Sequence, residues 1–237
     1  MSAACGVPWV RMGHVFLYAA FVPPAEILDE VWDLAAATSV DAGVVPPPPG
    51  RPGRRKAPRR LGRKQKQAEH VDLSAPVLDL EPAREVNLAM AKFGNLALND
   101  ANRLAAALQE ASGEWSSPRL QLKGYSTGEA ENDASVWVDL DGDLDALNTV
   151  VRGVHEIAKG LRFFVDRRVF RPRVRLGGVR PTATEPQLEA LLAKLERFET
   201  SPWWQTEFGL LTLVDQGPDL PSFRSFADIP LGPHVAH

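Results

Sequence analysis

Two arginines spaced for one job stand in Phe170-Arg171-Pro172-Arg173-Val174-Arg175-Leu176. The stretch reads as a short strand entered through a proline. Residues two apart on a strand share a face, roughly 7 Å apart, so Arg173 and Arg175 point the same way. Val174 and Leu176 point the other way. One face suits a core, the other an anion, because guanidinium groups make paired, charge-assisted hydrogen bonds to phosphate. Val86-Asn87-Leu88-Ala89-Met90-Ala91-Lys92-Phe93-Gly94 has the same build. The functional question is whether these two strands face each other across a cleft.

The elements that must hold them follow from periodicity. His14 to Val22 is an apolar run too short to span a bilayer, ending at Pro23-Pro24, and reads as a buried first strand. Ala25–Ala37 places Ile27, Leu28, Val31, Trp32 and Ala35 on one helical face. Val77–Leu80 is a short strand. Val86–Phe93 is a strand turned by Gly94-Asn95, and Asn99 or Asp100 caps a helix through Ala111. Arg119–Tyr125 and Ser135–Leu140 alternate as strands around a polar loop. Asp143 caps a helix whose stripe runs from Leu144 to Ala158, with Gly160 as its stop. Gly177-Gly178 turns the arginine strand, and Thr184 with Gln187 fits a capping box opening a helix through Leu195. Trp204–Val214 reads as one last long strand, followed by loops. Two strand–turn–helix units, around 87–110 and 170–198, imply an α+β fold of two pseudo-symmetric lobes, antiparallel sheets with helices packed outside.

Charge is unevenly spread along the 237 residues, whose formal net charge is −3. Nine Lys and Arg residues and no acid lie between Arg51 and Lys66, including Arg54, Arg55, Lys56, Arg59, Arg60, Arg63 and Lys64. The remainder has 18 basic against 30 acidic residues, so an acidic body carries one basic segment. With the proline run Pro46–Pro49 before it, the segment 40–70 reads as a flexible arm inserted in a single domain formed by 1–39 and 71–237. Such an arm fits RNA phosphates; a solvated linker, or an arm lying on the chain's own acidic surface, fits equally. The single cysteine, Cys5, allows no internal disulfide and suits the cytoplasm.

The layout resembles the 2H phosphoesterase superfamily, in its 2′-5′ RNA ligase / RNA 2′,3′-cyclic phosphodiesterase branch. The likeness rests on the opening strand ending in a proline, Val15–Pro23, and on Glu81-Pro82-Ala83-Arg84-Glu85-Val86-Asn87 as the approach to a first motif. It rests also on Phe170–Leu176 as a second motif and Ser225–Leu231 as the C-terminal end. It implies a central cleft with one His-x-Thr/Ser per lobe, where two imidazoles exchange protons near neutrality. Here Arg173 and Arg175 stand at the second pair of positions. Asn87 and Ala89 stand at the first, or Glu85 and Asn87 in a shifted register. Arginine stays protonated and asparagine does not titrate, so neither replaces a general base.

The expectation is therefore a catalytically degenerate protein that binds RNA or a phosphorylated nucleotide through Arg173, Arg175, Asn87 and the basic arm. It needs no cofactor and no metal, and it could sit in a larger RNA–protein assembly. Alternatives are a phosphodiesterase or ligase with relocated chemistry, a protein-interaction scaffold, or arginines neutralised by acids such as Glu85. Other histidines offer less: His155 reads as a packing residue, His14 as strand-start, and His70, His234 and His237 border the arm or lie in the tail. Asp139, Asp141, Asp143 and Asp145 read as a loop with a helix cap, and Trp203-Trp204 as a core pair or a stacking platform.

Overall fold

A computed structural model describes residues 13–41, 76–128, 134–166, 170–214 and 223–234. Strand β1 is His14–Phe21, followed by helix α1, Ala25–Asp41. Strand β2 (Leu78–Leu80) and a single 3-10 turn at Ala83–Glu85 lead to β3, Leu88–Ala97, and α2, Leu98–Ser112. Strands β4 (Arg119–Thr127) and β5 (Ser135–Gly142) precede α3, Leu144–Gly160. Strand β6 is Arg173–Val179 and helix α4 is Glu185–Leu195. The closing strands are β7 (Trp203–Trp204), β8 (Glu207–Leu213) and β9 (Phe223–Pro230).

These strands make two sheets, one in the order β3-β1-β8-β9 and one in the order β2-β6-β5-β4-β7. All pairings within them are antiparallel. The α+β architecture with two sheets is as the periodicity implied. Alternation decides which face is which. In β1, Leu17, Ala19 and Phe21 join the main core, while Tyr18 and Ala20 turn to the other face, where Leu211, Phe16 and Phe223 meet them. In the second sheet Leu120, Leu122, Val136, Val138, Val174 and Leu176 are buried in the same continuous core. Helix α3 adds Leu147, Val150, Val151, Val154 and Ala158, at the spacing of one helical face. Each sheet is therefore left with one face that the core does not claim.

Glycines read as turns serve as strand residues. Gly94, with φ 73°, sits at a bulge: β3 pairs Gly94 with Leu17 and Lys92 with Tyr18, so Phe93 is an extra residue. Strand β3 then runs on to Ala97, and α2 begins at Leu98 without an Asn99 or Asp100 cap. Gly177 lies inside β6 opposite Leu80, and a Cβ there would stand 2.3 Å from the Asp79 carbonyl oxygen. A missing side chain there lets β2 pack close, which a sequence reads as easily as a turn. The expected long strand 204–214 is divided into β7 and β8, which lie in different sheets. The C-terminal stretch read as loops forms β9, an edge strand, where Pro230 at its end costs no ladder bond. Asp143 stands at the N-cap of α3, but its carboxylate accepts the Arg119 backbone N–H at 2.9 Å instead of capping. The Thr184–Gln187 box is present: Gln187 Oε1 accepts the Thr184 N–H and hydroxyl, both at 2.9 Å.

Candidate phosphate-binding face

Strand β6 holds Arg173 and Arg175 half-exposed and buries Val174 and Leu176, as the alternation required. The neighbouring strand supplies their cross-strand partners: Asp139 lies opposite Arg173, and Trp137 lies opposite Arg175. Paired residues share a face of the sheet, so these four side chains form one polar patch on the side away from the core.

The two arginines are not equivalent. Arg175 forms an ion pair with Glu81 through Nη1, and its Nε donates to Ser135 Oγ at 3.2 Å. Arg173 rests over the Trp137 ring, 4.6 Å from its centre, and donates to Ser126 Oγ at 3.3 Å. Ser126 in turn donates to Asp139 Oδ1 at 2.8 Å. Among the described residues Arg173 has no ion pair. The acid on Arg175 is Glu81, not the Glu85 that the sequence offered as a neutralising partner.

Glu81 is held from both sides of its peptide. Its N–H donates to the Leu176 carbonyl at 3.0 Å, extending the β2–β6 ladder, and its carbonyl accepts the Trp32 indole N–H of α1 at 2.7 Å. The side chain is thereby aimed along the patch. No motif marked Glu81 as functional, because its partner is 94 residues away in sequence. The available signal was its position just after the edge strand that pairs with β6.

Asn87 belongs to the other lobe. Its side-chain N–H donates to the Glu85 carbonyl at 3.3 Å, and it hydrogen-bonds the Tyr18 hydroxyl. Burial pushes the Tyr18 hydroxyl up to about 12, the Glu85 carboxylate adds to this, and the Asn87 bond opposes it. Ala89 is exposed, and β1 sets it opposite Ala20. Asn87 is six positions after Glu81, so their Cα atoms are at most about 20 Å apart. Among the described residues Asn87 makes no hydrogen bond to Arg173 or Arg175. Arg54, Arg55, Lys56, Arg59, Arg60, Arg63 and Lys64 lie outside the described residues.

The remaining sequence candidates have structural partners. His155 Nε2 lies 3.0 Å from the Met90 carbonyl and borders a cavity of about 630 Å³ with Phe163, Phe164 and Asp166. Asp141 accepts from Gln121 at 3.1 Å and from the Gly142 N–H, and both bonds hold its carboxyl below the usual range. Trp203 is buried and Trp204 exposed, the latter against the His234 ring at 4.2 Å, so this pair is split between core and surface. No helix among the described residues is long and apolar enough to cross a membrane.

No protein-family model matches the chain, and no curated protein does. Solved structures do. E. coli LigT complexed with 3′-AMP superposes with a TM-score of 0.55 at 15% identity, covering 92% of this chain and 98% of that one. TT0787 of Thermus thermophilus gives 0.55 at 12% identity, over 91% and 97%. E. coli LigT complexed with NADP+ gives 0.54 at 15% identity, over 93% and 99%. At these identities the likeness speaks for the fold, and it extends over nearly the full length of both partners. The two-sheet α+β architecture of this chain is the fold seen in E. coli LigT.

Proposed function

We propose that this protein binds the phosphate of a nucleotide or RNA end on the Arg173–Trp137 face and does not turn it over. The observation that carries the reading is Arg173: a guanidinium half-exposed beside Trp137, with no ion pair among the described residues. The similar LigT structures hold 3′-AMP and NADP+, which makes a phosphorylated nucleotide the ligand class to try. On the motif reading, Arg173, Arg175 and Asn87 occupy positions where the family uses titrating histidines and hydroxyls. A permanently charged arginine and a non-titrating amide supply binding without proton exchange. The basic segment from Arg54 to Lys64 adds a salt-dependent contact to a longer RNA.

The test is a titration of 3′-AMP and a short RNA carrying a 3′-phosphate, with a 2′,3′-cyclic AMP hydrolysis assay on the same sample. Binding without turnover is expected. Arg173→Gln should weaken it about ten- to hundredfold, the worth of a charge-assisted bond. Removing residues 51–66 should flatten the salt dependence for RNA. Turnover that survives loss of both Arg173 and Arg175 would overturn the reading.

A further inference from the structure

Arg175 shares a face with Arg173 and has the same chemistry, yet Glu81 already occupies its Nη1. We infer that Glu81 is a built-in competitor that withholds Arg175 from the ligand and makes the site select phosphomonoester dianions over cyclic or diester phosphates. The inference rests on the binding reading above and adds the ligand class.

The geometry gives Glu81 little freedom to leave by itself. Its peptide is bonded on one side to Leu176 of β6 and on the other to Trp32 of α1. Yet the pair is open to solvent, with the Arg175 and Glu81 side chains 41% and 33% exposed. A ligand can therefore reach the guanidinium and compete for it. Exposed ion pairs are weakly held, so exchange is feasible.

Charge decides which ligand succeeds. Within the patch Asp139 lies opposite Arg173 and Glu81 pairs with Arg175, so an incoming anion meets two acids beside the two arginines. A cyclic or diester phosphate carries one negative charge, and at Arg175 it would exchange one monoanion for another. A terminal phosphomonoester carries nearly two charges at neutral pH and three acceptor oxygens. It can hold Arg173 and still offer a second charge for the arginine that Glu81 must release.

The test is a double-mutant cycle with a selectivity ratio. The probes are 3′-AMP and 2′,3′-cyclic AMP, titrated into wild type, Glu81→Gln, Arg175→Gln and the double variant. Each variant is checked for a native melting temperature. Wild type should prefer 3′-AMP by about tenfold. Arg175→Gln alone should erase that preference, bringing 3′-AMP down to the affinity of 2′,3′-cyclic AMP. Glu81→Gln should tighten 3′-AMP about tenfold, and adding Arg175→Gln should cancel that gain. Equal wild-type affinity for the two probes, or a Glu81→Gln variant no tighter than wild type, would sink this inference while leaving the binding reading intact. An Arg175→Gln variant that keeps the wild-type preference for 3′-AMP would do the same. Binding of neither probe, by wild type or Glu81→Gln, would end both.

Discussion

Gly177 of β6 packs against the backbone of Asp79 so closely that a Cβ would stand 2.3 Å from its carbonyl oxygen. No flexible side-chain end is involved, so the contact cannot be relieved by a rotamer change. Gly177→Ala must push β2 away from β6. Overpacking of this kind costs about 1–3 kcal/mol, and a melting curve should show it. Because Glu81 follows β2 directly, the same variant should loosen the Glu81–Arg175 pair and raise phosphate affinity relative to a control such as Gly178→Ala, whose Cβ would meet only Arg175 Nη2 at 3.8 Å.

Gly153 of α3 sets two effects against each other. Alanine in a helix interior is favoured over glycine by about 1 kcal/mol. Here, however, the new Cβ would lie 2.4 Å from the Trp115 ring, a rigid group that itself packs against Phe208 at 6.3 Å between centres. The clash should win, so Gly153→Ala should lower the melting temperature, and Gly153→Ala with Trp115→Leu should recover part of the loss. A stabilised Gly153→Ala single variant would contradict this packing.

Trp137 Nε1 is buried without a hydrogen-bond partner among the described residues. A donor left so carries a desolvation penalty of about 1–3 kcal/mol. Trp137→Phe removes that penalty while losing part of the ring under Arg173. We expect a change within about 1 kcal/mol in stability, well below the 3–5 kcal/mol typical when a buried aromatic is truncated to alanine. Chemical denaturation of both variants, Trp137→Phe and Trp137→Ala, reads the difference.

Tyr18 predicts an alkaline limit. Its hydroxyl is pushed up to about 12 chiefly by burial, from an ordinary value near 10. Above pH ~10 the unfolded chain therefore loses this proton while the folded chain keeps it. Stability from this group is full below pH ~10 and falls as pH rises toward 12, by up to about 3 kcal/mol. Tyr18→Phe should remove this part of the decline, seen as a shallower loss of melting temperature between pH 9.5 and 11. An identical slope in both proteins would show that Tyr18 ionises freely.

The legible parts of the sequence were those where one period governs. Val174 and Leu176 inward with Arg173 and Arg175 outward needed only strand alternation, and the α3 stripe only the helical period. Glycine and proline were harder, since each has several uses. Gly94 marks a bulge and Gly177 a close strand approach, and Pro230 closes an edge strand. At the candidate site, the arginines were visible from their spacing. The distinction between them was not, because it depends on Glu81, brought beside Arg175 by a β2–β6 pairing between distant segments.

The order β3-β1-β8-β9 places the first strand beside one of the last. During synthesis, β1 thus waits with one flank bare while almost 200 further residues are made, because Leu210 and Leu211 emerge that much later. A chain cut short before β8 would expose Ala19 and Ala20 along an unpaired edge, a template for aggregation rather than a smaller working unit. Stop codons placed before β8 should therefore yield insoluble product.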